Sequence, residues 1–341
     1  MSIVEYYREL LREAFGGSPV VLLSGAMQPD LVRSARELGC AGVFALGNRP
    51  DPGADAYARF DSPDWQEELD RFDPQHAALA LGDGFRTNGR FAGRRFVGPR
   101  PKEWARYEDK TELGALLAAT AVPSAPELVV PAVERAVLHA ASELDGGMGT
   151  VWSGDHRDGE QNGGKHVRWV RTAQQAAAAV VYFGSRCDRV RVMPFLEGQT
   201  CSIHAFVTAA GVATLLPISL DIRVDPSRGM FEYIGSDIDW VPSVDIAAEI
   251  RRAAFGIGEA LSGGVNYRGA FCIDGVLTHE GFRPTEINTR CGLSLTDIAR
   301  RVPELPLRFL HAFIADGNPA DWKPTELEAY VLRRLSEHEH A

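Results

Sequence analysis

The segment GAFCIDGVLTHEGFRPTEINTRCG, residues 269–292, decides how the chain is interpreted. Two strand-like runs, GAFCIDG and FRPTEIN, flank the polar turn LTHEG, and this pattern predicts a β-hairpin. Because alternate side chains of a strand share a face, Glu286 and Asn288 point the same way, and antiparallel pairing brings Asp274 beside them. Two carboxylates and an amide oxygen make a hard oxygen site, which suits Mg²⁺ bound to a nucleoside triphosphate.

Three arginines are candidates for contacts with phosphate or substrate near this hairpin. Arg290 lies two residues beyond the predicted metal ligands and can reach a transferred phosphoryl group. Arg268 precedes the first strand and faces the cleft or lies along a sheet edge. Arg223, with Arg228, contacts phosphate or a substrate carboxylate, or belongs to a surface turn.

Composition and charge exclude several classes of protein. The chain has 341 residues, 36 basic and 46 acidic, and its net charge of -10 disfavours a nucleic acid partner. The length predicts two or three packed units. No signal peptide, no apolar run of membrane-spanning length and no CxxC pair among five cysteines is found, so we expect a cytoplasmic protein without a zinc site. The one basic cluster is interpreted as a solvated loop; it comprises Arg86, Arg90, Arg94, Arg95 and Arg100.

The remaining sequence divides into two patterns. Buried strands at SPVVLLSG (18–25), AGVFALG (41–47) and HAALALGDG (76–84) alternate with helices, which predicts a doubly wound α/β unit. No GxGxxG follows the first strand, so a dinucleotide site is not supported. Further on, EDKTELGALLAATAV (108–122) predicts a helix. An antiparallel meander is predicted from RVRVMPFL, CSIHAFVTAAG, VATLLPISLDIRV and FEYIGSDI.

The order of these features resembles the ATP-grasp superfamily. Four segments carry the resemblance: EDK (108–110), NGGKHV (162–167), VRVMPFLEGQTCSIH (190–204) and TEINTRCG (285–292). Within the superfamily the chain looks closest to actinobacterial ligases with a pre-ATP-grasp domain, including pheganomycin-type peptide ligases. The resemblance implies α/β plus α+β architecture, with a Rossmann-like pre-ATP-grasp domain before a two-lobed ATP-grasp module. The implied limits are 1–100 for the first domain, 101–192 and 193–325 for the two lobes, and 326–341 for a helical tail.

The resemblance also implies roles for individual residues. Lys110 contacts nucleotide phosphate or adenine, and Gly163 and Gly164 let backbone N–H groups approach the phosphates. The strand from Met193 through Phe195 and Leu196 forms the adenine hinge. Asp274, Glu286 and Asn288 hold Mg²⁺, while Arg290 stabilises an acyl phosphate.

Two positions depart from the family pattern. Many members carry a lysine at the end of the strand before the glycine loop, where this chain has Ser153. Many also carry a ribose-binding glutamate where this chain has Thr200. Either Lys165 and Glu197 replace the missing lysine and glutamate in binding the nucleotide, or the nucleotide binds less tightly than in those members.

The sequence therefore predicts an ATP- and Mg²⁺-dependent ligase that joins a small-molecule carboxylate to an amine, such as an amino acid or short peptide. The carboxylate attacks the γ-phosphate, and the amine attacks the resulting acyl phosphate. A small-molecule kinase on the same scaffold and a non-catalytic nucleotide-binding subunit stay open as alternatives. A dinucleotide-dependent oxidoreductase rests only on the amino-terminal pattern. No membrane partner is expected, and a homodimer is a common outcome for such chains.

Overall fold

Three β-sheets flanked by helices make up the computed structural model, which describes residues 1–23, 29–45, 63–82, 89–157 and 164–338. The strands are β1 (Pro19–Leu22), β2 (Gly42–Ala45), β3 (Leu79–Leu81), β4 (Arg90–Phe91), β5 (Arg94–Phe96), β6 (Leu128–Pro131), β7 (Thr150–Gly154), β8 (Val167–Val170), β9 (Arg189–Pro194), β10 (Gln199–Thr208), β11 (Gly211–Asp225), β12 (Met230–Asp237), β13 (Gly269–Thr278) and β14 (Gly281–Asn288). The helices are α1 (Ile3–Phe15), α2 (Pro29–Glu37), α3 (Pro63–Phe72), α4 (Lys102–Ala105), α5 (Leu113–Ala118), α6 (Glu134–Leu144), α7 (Ala173–Arg186), α8 (Val244–Val265), α9 (Leu295–Arg301), α10 (Leu307–Ala315) and α11 (Pro324–His338). The predicted mixed α/β class is confirmed.

The amino-terminal sheet has the order β2-β1-β3-β5-β4, with parallel pairing from β2 through β5. Val20 and Val21 are fully buried on opposite faces of β1, as expected for a strand covered on both sides. Helix α1 starts at a capping box between Ser2 and Glu5 and buries Tyr7 in the largest core. That core also includes α9, α10 and α11. Residues from both ends of the chain therefore pack together.

The second sheet has the antiparallel order β6-β9-β7-β8, and α6 and α7 pack on it through a core around Trp152 and Phe183. The prediction that RVRVMPFL belongs to the meander is wrong, since this segment forms β9 between β6 and β7. Residues Val190 to Met193 are all buried, without the alternation of a half-exposed strand. A central strand accounts for that pattern.

The third sheet has the antiparallel order β12-β11-β10-β13-β14 and contains the predicted hairpin of residues 269–292. Helix α8 covers one face through Ile250, Ile257 and Leu261, which pack against Ile203 and Ile273 of the sheet. Side chains of opposite parity on β10 and β13 therefore lie on the face away from α8. The domain limits proposed from the sequence stay predictions, although the three sheets fall within residues 19–96, 128–194 and 199–288.

The link between the first two sheets differs from its predicted form. The helix expected over 108–122 is shorter: Glu108 ends a 3-10 helix (Arg106–Glu108), and Asp109 and Lys110 lie in the turn before α5. The Asp109 carboxylate accepts hydrogen bonds from the backbone N–H and the hydroxyl of Thr111. Such local bonds compete with helix formation, which explains the late start.

The arginine cluster interpreted as a solvated loop is partly buried. Arg94 is fully buried, and its guanidinium pairs with Asp73 at 2.7 Å. Arg100 is also buried and pairs with Glu108 at 2.8 Å. The interpretation was wrong for these two arginines, because a buried carboxylate compensates each charge. No helix in the described part of the chain is long and apolar enough to cross a membrane.

Candidate active site

The centre of the candidate site is a pair of carboxylates on neighbouring strands. Asp274 on β13 lies directly opposite Glu286 on β14 in the ladder. On its other side Asp274 pairs with Ser202 of β10, whose side chain is buried. The alternation of side chains places all three on the sheet face opposite α8. The predicted convergence of Asp274 and Glu286 is therefore present.

The electrostatics of this pair favour a bound cation. Burial raises the pKa of Asp274, and the nearby Glu286 charge raises it further, to about 6. Lys110 and Arg290 act in the opposite direction but do not cancel these effects. The site holds two carboxylates that repel each other when both are ionised. A divalent cation between them relieves that repulsion.

Asn288 and the two nearby cations complete the cluster. The Asn288 amide donates to the Asp274 carboxylate at 3.3 Å, and its oxygen accepts from Arg290 at 3.0 Å. Lys110 Nζ lies 2.8 Å from Glu286 Oε2. The structure thus brings together five of the predicted site residues, two acidic, two basic and one amide. Net charge is balanced within this cluster.

These donors fit a metal bound together with nucleotide phosphates. No group of three His, Cys, Asp or Glu side chains suited to a metal occurs in the described parts of the chain. Two carboxylates and one amide leave an octahedral ion in need of further oxygens. Phosphate oxygens and water supply them in the usual Mg²⁺–nucleotide arrangement. The donor set therefore suits a Mg²⁺–nucleotide complex better than a permanently bound metal.

Glu108 is a buried residue that the sequence interpretation did not assign to the site. Its Oε1 accepts from the backbone N–H of Thr289 at 2.9 Å, and its Oε2 lies 3.2 Å from Arg290 Nε. Arg100 also pairs with this carboxylate, at 2.8 Å. Burial raises the pKa of Glu108, but the charges of Arg290 and Arg100 outweigh it and lower the pKa overall. The EDK segment contained this residue, yet its partners Thr289 and Arg290 are remote in sequence.

The predicted adenine hinge connects the second and third sheets. Met193 is buried in β9, and the Phe195 ring stacks on Trp169 with centroids 4.2 Å apart. The backbone N–H of Phe195 donates to the Gly149 carbonyl at 3.0 Å. Leu196 is half-buried, and Glu197 is exposed beside it. The hinge therefore places an aromatic stack where β8 and β9 approach the third sheet.

The other predicted nucleotide contacts are more dispersed. Ser153 is buried in β7, where it pairs with Val167 and Arg191 in the ladder. Lys165 is exposed, and the Thr200 hydroxyl donates to the Leu220 carbonyl at 2.6 Å. Of the two loop glycines, Gly164 has a φ of 72° and Gly163 lies outside the described residues.

Two predicted arginines lie apart from the carboxylate pair. Arg268 precedes β13 by one residue, six positions from Asp274, and donates to Ser262 and the Tyr267 carbonyl. At about 3.3 Å per residue, these positions are ~20 Å apart along the strand. Arg223 on β11 is exposed beside Glu232. It lies five residues from Ile218, which pairs with Ser202, so alternation puts it on the α8 side of the sheet.

Contacts at two edges hold the second sheet against the third. Arg191 of β9 donates to the Thr285 carbonyl of β14 at 2.9 Å. At the other edge, the backbone N–H of Trp169 in β8 donates to the Gly229 carbonyl at 2.7 Å. Gly229 has a φ of 63°, and a Cβ there would collide with the Trp169 carbonyl. We call the contact of Trp169 with Gly229 the lobe clasp.

Comparisons with known proteins identify the fold. No family model and no curated protein matches the sequence. Three similar solved structures are the biotin carboxylase domain of a Hydrogenobacter thermophilus 2-oxoglutarate carboxylase with MgADP and bicarbonate (TM-score 0.63, 16% identity, 91% of this chain and 72% of that chain), a Thermotoga maritima phosphoribosylamine–glycine ligase (0.60, 19%, 84% and 72%) and an Aspergillus clavatus carboxyaminoimidazole ribonucleotide synthase with ATP (0.59, 13%, 90% and 79%). At these identities the similarity shows the fold alone. The chain has the ATP-grasp fold, as its sequence resemblance implied.

Proposed function

We propose that this protein is an ATP- and Mg²⁺-dependent ligase that joins a carboxylate to an amine through an acyl phosphate. The carboxylate pair Asp274 and Glu286, with Arg290 and Lys110 beside it, carries the proposal. Similar structures were determined with ATP or MgADP, which supports the same ligand class here. One similar structure is named a ligase, which supports the same reaction type.

In this proposal the chain binds and orients the reactants. Asp274, Glu286 and Asn288 would hold Mg²⁺, which when bound would offset negative charge on the phosphates. Lys110, which pairs with Glu286, would lie within reach of a phosphate oxygen beside that carboxylate. Arg290 faces the same region and stabilises charge on the transferred phosphoryl group. The substrate carboxylate attacks the γ-phosphate, ADP leaves, and the amine then displaces phosphate from the acyl phosphate.

The chain's own residues need not supply a nucleophile. His204 on β10 is fully buried, with Nε2 2.8 Å from the Ser294 hydroxyl. Burial lowers the pKa of His204 to about 3, so it stays neutral at physiological pH. His204 therefore has a structural role in this proposal. Positioning and charge compensation therefore carry the proposed chemistry.

The finer assignments are also part of the proposal. We propose an amino acid or short peptide as the amine, a place in natural product biosynthesis and a cytoplasmic location. Gly163, Gly164 and Lys165 would cover the phosphates, while Met193, Phe195 and Leu196 hold the adenine. Glu197, Thr200 and Ser153 would lie near the nucleotide. Arg268 and Arg223 would contact substrate only at the margins, since both lie apart from the carboxylate pair. A homodimer is the proposed assembly.

One observation favours a second candidate, a nucleotide-binding subunit without catalysis. Ser153 provides no cation at the end of β7, and the Thr200 hydroxyl already donates to Leu220. Isothermal titration with MgADP, with and without EDTA, tests nucleotide binding. A panel of amino acids and short peptides then tests turnover. Metal-dependent binding with substrate-dependent ADP release supports the ligase; binding without release under every mixture supports the subunit.

A further inference from the structure

Arg290 is held in place by a residue from a different part of the fold. Its Nε lies 3.2 Å from Glu108 Oε2, and its Nη2 donates to the Asn288 oxygen at 3.0 Å. A planar guanidinium with two fixed directions has little rotational freedom left. The Glu108 contact therefore sets which edge of the guanidinium faces the carboxylate pair.

The Glu108 carboxylate is itself fixed from several sides. It is 5% exposed, and Thr289 binds it through both its backbone N–H (2.9 Å) and its hydroxyl (3.2 Å). Arg100, 5% exposed, lies 2.8 Å from the same carboxylate. Two arginines around one carboxylate leave one positive charge in excess. Arg100 thus compensates the charge of the buried Glu108 carboxylate, and the charge of Arg290 is left to interact with groups at the carboxylate pair.

The segment from Glu108 to Lys110 contacts both Arg290 and one of the two carboxylates proposed to bind the metal. Glu108 binds Arg290, and Lys110, two residues later, binds Glu286. Between them, Asp109 accepts a hydrogen bond from the backbone N–H of His156 at 3.1 Å, which connects this segment to the end of β7 in the second sheet. One short segment between the first and second sheets therefore contacts both Arg290, the proposed phosphoryl ligand, and Glu286, a proposed metal ligand.

We propose that Glu108 is the positioning residue of Arg290, fixing the guanidinium so that it meets the transferred phosphoryl group. This inference rests on the proposed function, since it assigns Arg290 the phosphoryl contact. Loss of a residue that orients a metal ligand typically costs about 10- to 100-fold, and we expect a loss of similar size when the orientation of Arg290 is lost. Glu108→Gln keeps the size of the side chain and an acceptor for Thr289, but removes the charge that holds Arg290.

The test uses MgADP with aluminium fluoride, a mimic of the phosphoryl group in transfer, so that no carboxylate substrate needs to be known. We expect fluoride to tighten MgADP binding in the wild-type protein. In Glu108→Gln this tightening should fall by about tenfold or more, while MgADP affinity without fluoride changes less than about threefold. Glu112→Gln is the matched control, because Glu112 pairs only with Arg106 and Arg189 among its observed ion pairs. It should retain the full tightening.

Glu108→Asp provides a second variant if the glutamine variant does not fold. It keeps the negative charge but shortens the side chain by one methylene group, which draws the carboxylate back from Arg290, and a loss of tightening in the same direction is expected. Unchanged tightening in a folded Glu108 variant overturns the inference while leaving the proposed function intact. Absence of tightening in the wild-type protein that still binds MgADP overturns the roles of both Arg290 and Glu108. Absence of MgADP binding overturns the proposed function itself.

Discussion

Lys110 and Glu286 form an ion pair, with Nζ and Oε2 2.8 Å apart, that joins the turn before α5 to strand β14. Lys110 is 13% exposed in its side chain, and Glu286 is 30% exposed. A cation at the carboxylate pair competes with this contact, whereas a bound phosphate offers Lys110 a new partner. Lys110 should therefore weaken the binding of a metal ion alone and strengthen the binding of a nucleotide.

Lys110→Met separates these two effects. We expect the variant to bind Mn²⁺ alone more tightly, because a positive charge beside Glu286 is removed. Binding of MgADP should weaken by about tenfold, the cost of one charge-assisted phosphate contact. Electron paramagnetic resonance of Mn²⁺ and calorimetry of MgADP measure the two affinities. If both affinities fall together, Lys110 has a purely structural role.

Metal affinity should depend on pH through Asp274. Burial and the Glu286 charge raise the pKa of Asp274 to about 6, so a proton competes with the metal below that pH. Mn²⁺ affinity should fall as the pH is lowered from 7 to 5 and level off above 7. Mn²⁺ without nucleotide is the appropriate probe, since phosphate groups titrate in the same range. An affinity independent of pH between 5 and 7 contradicts this expectation.

Asp274→Asn is the control for that titration. A carboxyl whose pKa is raised on folding destabilises the folded protein once the pH exceeds its unfolded value near 4. The asparagine variant should therefore be at least as stable as the wild-type protein above pH 6 in thermal unfolding. Its weaker Mn²⁺ affinity should show no dependence on Asp274 ionisation. A large drop in its melting temperature would assign Asp274 a structural role instead.

Gly229→Ala tests the lobe clasp. The φ of 63° and the collision with the Trp169 carbonyl make alanine costly, about 1–3 kcal/mol. We expect a lower melting temperature and faster hydrogen exchange at the Trp169 amide, which donates to Gly229. Gly235→Ala, on the strand β12 that follows Gly229, is the control, because a Cβ there meets no atom within 4 Å. Equal effects of the two substitutions would contradict the clasp.

The sequence predicted the carboxylate pair because a hairpin relates residues close in the chain. The turn of residues 277–281 fixes the register of the first pairs, and a bulge at Thr285 then shifts the register so that Asp274 lies opposite Glu286. The buried strands of the first sheet were predicted for a similar reason, since a short apolar run between turn residues indicates a buried strand. Both inferences depend on local information.

Contacts between distant segments were not predictable in this way. Glu108 meets Arg290 because the 3-10 helix of residues 106–108 packs against β14, and Arg94 on β5 meets Asp73, which follows α3. The position of β9 was likewise mistaken, because a fully buried strand does not reveal which sheet it joins. Arg223 shows the same difficulty on a smaller scale, since one residue along a strand exchanges the two faces.

The most direct test of the proposed ligase is ADP release from MgATP across a panel of amino acids, small acids and short peptides, with hydroxylamine present. Glu286→Gln is the control, because it removes one carboxylate charge while preserving side-chain size. The account predicts substrate-dependent ADP release with an equal amount of hydroxamate, both lost in the control. ADP release without hydroxamate would contradict acyl-phosphate formation and indicate a kinase or an ATPase.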